Sequence, residues 1–168
     1  MILRGKVWKF ERDLSATDLV SSKYDKLAYE DAKACAKYVL EDINPDFASS
    51  VQKGDIIVSS GELGTGHAHY YNAAIQGCRE AGVSALLAEN ANTLFLRSAI
   101  DEGYLVWSIK GLSSLVNQGD ILELDLQKGV AANLTTGKIE NLQPIPEAIL
   151  DIIDAGSSLN WALRRVNG

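Results

Sequence analysis

The chain has little of what marks several large protein classes. Only two cysteines, Cys35 and Cys78, occur in 168 residues. They lie far apart, which offers neither a disulfide framework nor the paired spacing of a cysteine metal site, so a reducing, cytoplasmic setting is expected. There is no run of Lys or Arg, and the net charge is −6. That balance argues against nucleic acid or an anionic membrane surface as the main partner. No segment approaches the ~20 consecutive apolar residues of a membrane helix. The opening stretch MILRGKVWKFERD also lacks an apolar run of signal-peptide length, so the expectation is a soluble, unexported protein. Repeats and low-complexity tracts are absent as well.

What is present is ordinary globular material: 46% hydrophobic and 23% charged residues, enough for one domain with a real core. Lys6 to Phe10 (KVWKF) reads as a strand, followed by a polar segment, ERDLSATDLVSSKYD, that is long for a mere connection. Ala32, Cys35, Ala36, Val39 and Leu40 recur at helical spacing and predict a helix over roughly Leu27 to Asp42, closed by Asn44-Pro45-Asp46. Ile56-Ile57-Val58 is a short continuous apolar run, as a strand buried on both faces requires. Tyr71, Ala74, Ile75 and Cys78 mark a helix ending at Gly82. Ser84 to Ala88, a helix over about Asn92 to Asp101, and Tyr104 to Ile109 follow. Residues 55 to 109 thus read strand, helix, strand, helix, strand, the order of a parallel βαβαβ sheet. Beyond them ILELDL alternates from Ile121 to Leu126, Gly129 turns the chain and VAANL returns it, a β-hairpin. Pro146 then opens a helix with an apolar face of Ile149, Leu150 and Ile153 that Gly156 closes.

Residues 61–74, GELGTGHAHYYNAA, gather three glycines and both histidines of the chain. On this reading the glycines leave a strand and open a helix. That geometry turns free N–H groups and the positive helix end towards a cavity and suits phosphate or carboxylate. The Gly-Lys-Ser/Thr ending of a phosphate loop is missing, and Gly61-x-x-Gly64-x-Gly66 runs opposite to the dinucleotide spacing, which leaves nucleotide binding little support. A plain tight turn is the alternative. His67-x-His69 falls short of the three or four ligands of a zinc site, so no metal is expected. An unperturbed pKa of about 6.5 suits a histidine for general-base work, with an exposed polar loop residue as the bland alternative. Cys35 and Cys78 fall on apolar helix faces as core thiols, and Trp8, Trp107 and Trp161 are core or interface aromatics.

Taken in order, several segments resemble the small subunit, or swivel domain, of the aconitase-type hydro-lyases, 3-isopropylmalate dehydratase in particular. They are GKVWKF near the start, GDIIV at 54–58, AGVSALLAEN at 81–90, LFLRSAIDEG at 94–103, QGDILELDL at 118–126 and NLTTGKIENLQPIPEAILDIIDAGSSLNWAL at 133–163. The resemblance spans nearly the whole chain. It implies a single α/β swivel-type β/β/α domain with a parallel core and a partly barrel-like hairpin portion. It also implies a heterodimer in which this chain binds no cofactor itself and closes over a large subunit carrying a cysteine-bound four-iron-four-sulfur cluster. The iron would act as Lewis acid on a small hydroxy di- or tricarboxylic acid, while the swivel domain supplies a base and a carboxylate clamp. Leucine and other branched-chain amino-acid biosynthesis is the implied setting.

The resemblance fails at the glycine-rich segment. Where the family follows Gly-Cys-Gly with Ser-Ser-Arg-Glu-His, this chain has Gly64-Thr65-Gly66 and then His67, Ala68 and His69, with about two extra residues before Ala81-Gly82. His67 thus stands at the base serine and His69 at the carboxylate-binding arginine. The family's Asp-Thr-Asp appears as Ser15-Ala16-Thr17 and a proline as Ser21, while Tyr24 is kept in Lys23-Tyr24-Asp25-Lys26, where the family places its substrate-selecting segment. The expected site is therefore His67 as base, with Gly64, Thr65, Gly66, His69, Lys23 and Tyr24 binding substrate. Three functions fit: a hydro-lyase subunit with altered residues, which is preferred; a non-catalytic or regulatory swivel subunit; and a stand-alone binder of a small anion.

Overall fold

The computed structural model describes residues 1–166. The first strand, β1 (Ile2–Phe10), lies at the centre of one eight-stranded sheet. Next come a two-residue strand β2 (Leu14–Ser15) and a four-residue helix α1 (Ala16–Leu19). Ser15 caps α1: its Oγ accepts from the Asp18 N–H, while the Asp18 carboxylate accepts from the Ser15 N–H. This reciprocal cap follows from the Ser-x-x-Asp spacing and orders a segment whose hydrophobic pattern shows no period. A 3₁₀ turn, Ser22–Tyr24, leads into α2 (Asp25–Asp31).

The helix expected over Leu27 to Asp42 breaks at this point. Asp31 turns extended, with φ −155° and ψ 91°, its carboxylate accepts the Lys33 N–H at 3.1 Å, and Ala32–Tyr38 continues as a 3₁₀ helix. Leu40 then takes φ 58° and donates its N–H to the Leu19 carbonyl at 2.8 Å. Cys35, Val39 and Leu40 are buried nonetheless. A short helix α3 (Phe47–Ser50) ends this region.

The parallel core is as the periodicity predicts. β3 (Ile56–Thr65), α4 (Tyr71–Glu80), β4 (Ala85–Ala91), α5 (Thr93–Asp101) and β5 (Leu105–Ser108) follow in order, and β3, β4 and β5 are parallel neighbours. β1 joins β3 in parallel and on its other side pairs antiparallel with β6 (Ile121–Asp125), which follows the short helix α6 (Leu112–Leu115). β7 (Val130–Asn133) and β8 (Ile139–Asn141) complete the antiparallel half. Helices α7 (Glu147–Ala155) and α8 (Ser158–Val166) close the described chain.

Alternation along the strands divides the core. Ile56, Val58, Ala85 and Leu87 face a cluster with α6, the hairpin and Leu150 of α7. Ile57, Leu63, Leu86 and Ala88 face α4, α5 and the Cys35 segment. Covering both faces is what lets the central strands be apolar throughout. It also brings the carboxyl ends of β3 and β4 together at one edge, where open α/β sheets bind their ligands.

Candidate active site

The glycine-rich segment is more strand than loop. β3 continues through Thr65, pairing with β4 at Glu62 and Leu63 and with β2 at Leu63 and Thr65. The donors expected to face a ligand are partly consumed: the Gly61 N–H goes to Ser59 Oγ and the Glu62 N–H to Asp13 Oδ1. Gly64 is buried with φ +79°, and a Cβ there would sit 2.1 Å from the Phe95 ring. Gly66, with φ +105°, is exposed and has nothing within 4 Å of that position. The chain therefore emerges from the sheet only at Gly66. A 3₁₀ turn, Ala68–Tyr70, separates it from α4, so the glycines do not open the helix directly.

Behind this turn, Tyr71 donates its hydroxyl to the Gly66 carbonyl at 3.3 Å and approaches Asn92 Oδ1 at 3.4 Å. Asn92 also caps α5, accepting from the N–H groups of Leu94 and Phe95, and its own N–H donates to the Leu63 carbonyl. The ends of β3, β4, α4 and α5 are thus tied at one point. Neither Tyr71 nor Asn92 stands out in the sequence, although the Asn-x-x-Phe start of a helix is a capping signal.

Both histidines are exposed on the emerging turn. His67 Nδ1 accepts the backbone N–H of His69 at 3.2 Å. His69 Nε2 lies 2.7 Å from Asp25 Oδ1 on α2, and both side chains are about half exposed. The rings are 6.3 Å apart, with Tyr70 packed edge-on to each. Beside them a pocket of about 270 Å³ opens between α2 and α4, lined by Asp25, Ala28, Tyr29, His69, Asn72 and Ala73.

Lys23 and Tyr24 form a separate acidic cluster. Lys23 Nζ donates to Asp42 Oδ1 at 2.8 Å and pairs with Glu41 at 3.3 Å. The hydrogen bond to Asp42 holds its ammonium above the usual lysine range. Tyr24 stacks on Tyr38 at 3.8 Å and donates its hydroxyl to Glu41, which raises the phenol above its usual value. The structure thus brings together His67, His69 and the end of β3, and adds Asp25, whose link to residue 69 no sequence spacing signals.

Among the described residues no group of three or more His, Cys, Asp or Glu is placed to hold a metal ion. Cys35 and Cys78 are buried, and burial pushes both thiols up, Cys78 to about 12. Two buried cysteines fall short of the cysteine set that holds an iron-sulfur cluster, so this chain's residues do not fit such a group. No helix among the described residues is long and apolar enough to cross a membrane.

No family model matches the chain. The 3-isopropylmalate dehydratase small subunit 1 of Thermotoga maritima is 40% identical over 160 residues, covering 95% of this chain and 94% of its own length. The chain belongs to the 3-isopropylmalate dehydratase small-subunit family. A second relative, the isopropylmalate/citramalate isomerase small subunit of Methanocaldococcus jannaschii, is 34% identical over 165 residues, 98% of this chain and 96% of that one. The crystal structure of 3-isopropylmalate dehydratase from the same organism superposes with a TM-score of 0.87 at 25% identity, covering 99% of this chain and 96% of the other. Within this hydro-lyase small-subunit family, a mixed α/β swivel domain with a curled sheet is the shared architecture, and the turn at Gly66 to His69 is where this member presents its histidines.

Proposed function

We propose that the chain is the small subunit of a heterodimeric hydro-lyase that closes over a separate large subunit and helps dehydrate and rehydrate a small hydroxy di- or tricarboxylic acid in the cytoplasm. The observation that carries the reading is the exposure of His67 and His69 together, where the chain leaves the carboxyl end of β3, on a fold shared along its whole length with hydro-lyase small subunits. The partner would carry the four-iron-four-sulfur cluster, which when bound supplies a Lewis acid for the leaving hydroxyl. This chain supplies the proton-handling and orienting groups. His67 touches the reacting substrate, His69 lies beside it, and Gly64, Thr65 and Gly66 shape the floor. Lys23 and Tyr24 act from the substrate-selecting segment, where Glu41 and Asp42 hold them.

The test is anaerobic co-purification with a cysteine-bearing large subunit from the same host, followed by dehydration assays on 2- and 3-isopropylmalate, citramalate and homocitrate. Turnover of one of these acids is expected. His67→Ala should lower kcat by about 10²–10³-fold, the usual loss when a side chain that donates to developing negative charge on the substrate is removed, and leave the complex assembled. A stable wild-type complex without turnover would favour the regulatory reading, and no complex at all the independent anion binder.

A further inference from the structure

The two histidines differ in which nitrogen they leave free. An ionised carboxylate only accepts hydrogen bonds, so the His69 nitrogen facing Asp25 at 2.7 Å carries its proton. In the neutral ring this puts the lone pair on Nδ1. His67 is the reverse case: its Nδ1 accepts the His69 N–H, so its proton sits on Nε2 and a donor faces outward. For His67 to act as base, the bond from His69 would first have to open. The groups facing His69 are Asp25 from α2 and His67 and Tyr70 from its own turn, and the pocket of about 270 Å³, lined also by Tyr29 and Asn72, opens beside it.

We infer that His69 is the proton-accepting catalytic residue, that Asp25 is its positioning residue, and that His67 serves as a neutral hydrogen-bond donor to the substrate. The inference rests on the hydro-lyase reading and divides the labour within it. An acid holding one imidazole N–H so that the other nitrogen can take a proton is the arrangement of a carboxylate–histidine dyad. A neutral imidazole donor suits the oxygen on which negative charge builds. In the forward step His69 Nδ1 takes the proton from the substrate carbon beside a carboxylate. The C–H electron pair becomes the second bond of the alkene, and the hydroxyl on the adjacent carbon leaves with its C–O pair. That hydroxide and the proton released from His69 make up the water eliminated. The site thereby gives up the arginine clamp of its family: a carboxylate at His69 would lie against the carboxylate of Asp25, so the substrate's carboxylate is held from the His67 side.

The test uses the assembled complex and the hydroxy acid that the wild type dehydrates. Asp25→Asn should lower kcat by ~10²-fold or more while changing KM little, because the loss is one of tautomer and not of binding. Asp25→Glu should recover part of it. His69→Ala should lose activity to a similar degree, regain part of it with added imidazole, and show a larger primary isotope effect on the abstracted hydrogen. A kcat within threefold of wild type in Asp25→Asn, or a His69→Ala complex that imidazole leaves unrescued with an unaltered isotope effect, overturns the assignment. A wild-type complex that dehydrates none of the acids removes the hydro-lyase reading itself, and the dyad's role with it. The ¹⁵N shifts of the two imidazoles in the full chain give a readout independent of turnover. Both rings should carry the proton on Nε2, and Asp25→Asn should mix the tautomers at His69 only. A neutral His69 with its proton on Nδ1 also overturns the assignment.

Discussion

Gly64 and Gly66 stand two positions apart, both in the left-handed region, yet they answer to different constraints. At Gly64 a methyl would meet the Phe95 ring at 2.1 Å, and Phe95 is fully buried and unable to withdraw. Gly64→Ala should therefore cost about 3 kcal/mol, adding backbone strain to overpacking. Gly66→Ala meets nothing within 4 Å and carries the backbone term alone, about 1–2 kcal/mol. Urea midpoints of the two variants check this ordering, and equal losses would contradict it. The sequence shows two glycines of one kind. The difference lies in Phe95, thirty-one positions from Gly64 and brought over it by the β3–β4–α5 crossover.

At the scale of the element, the caps decide where helices start and the pattern decides only that something helical is there. Asn92 accepts from the Leu94 N–H at 3.0 Å and the Phe95 N–H at 3.3 Å, while Tyr71, which ties the Gly66 carbonyl, lies against the same oxygen. Asn92→Ala should destabilise by about 1 kcal/mol, with Asn92→Asp retaining most of the cap. Thermal or denaturant unfolding measures it, and a loss in Asn92→Asp as large as in the alanine variant would refute the capping role. The 31–44 region shows the opposite side of the same rule. Apolar residues at 32, 35, 36, 39 and 40 fit an α-helix, but i,i+3 neighbours also share a face in a 3₁₀ helix, so the pattern does not choose between them. The choice comes from the Asp31 cap on Lys33 and the left-handed turn at Leu40, which anchors to Leu19.

Across the whole molecule, the antiparallel half is fastened to the parallel half by buried polar groups. Asn133 on β7 donates to the Leu115 carbonyl at 2.9 Å and to Asp120 at 2.7 Å. The Asn117 N–H and the Asn133 amide hold the Asp120 carboxyl below the usual carboxylate range. Glu89, though partly buried, is also held low by the hydroxyl and N–H of Ser113 and the N–H of Gly111. For such groups the folded pKa lies below the unfolded one. Their stabilisation is present above an unfolded pKa of about 4 and is lost as pH falls through the lower folded value. The urea midpoint should stay level from neutral pH towards 5 and fall below about 4, and Asp120→Asn should flatten that fall. A variant with the same pH slope as the wild type would show that this junction does not carry it.

By itself the sequence determined the alternation of strands and helices from 55 to 109, the hairpin after it and the membership of a swivel-domain family, because these rest on local periodicity and ordered segments. It also singled out the segment from Gly64 to His69 as the candidate site, since glycines and the only two histidines coincide there. Only the tertiary structure decided that β3 runs on to Thr65 and that the histidines emerge from a sheet edge instead of from a phosphate-type loop. The same structure set Lys23 among acids and placed Asp25 against His69. Each of these is a contact between residues distant in the chain, and hydrogen-bond partners, unlike periodicity, follow from packing and leave no spacing to read.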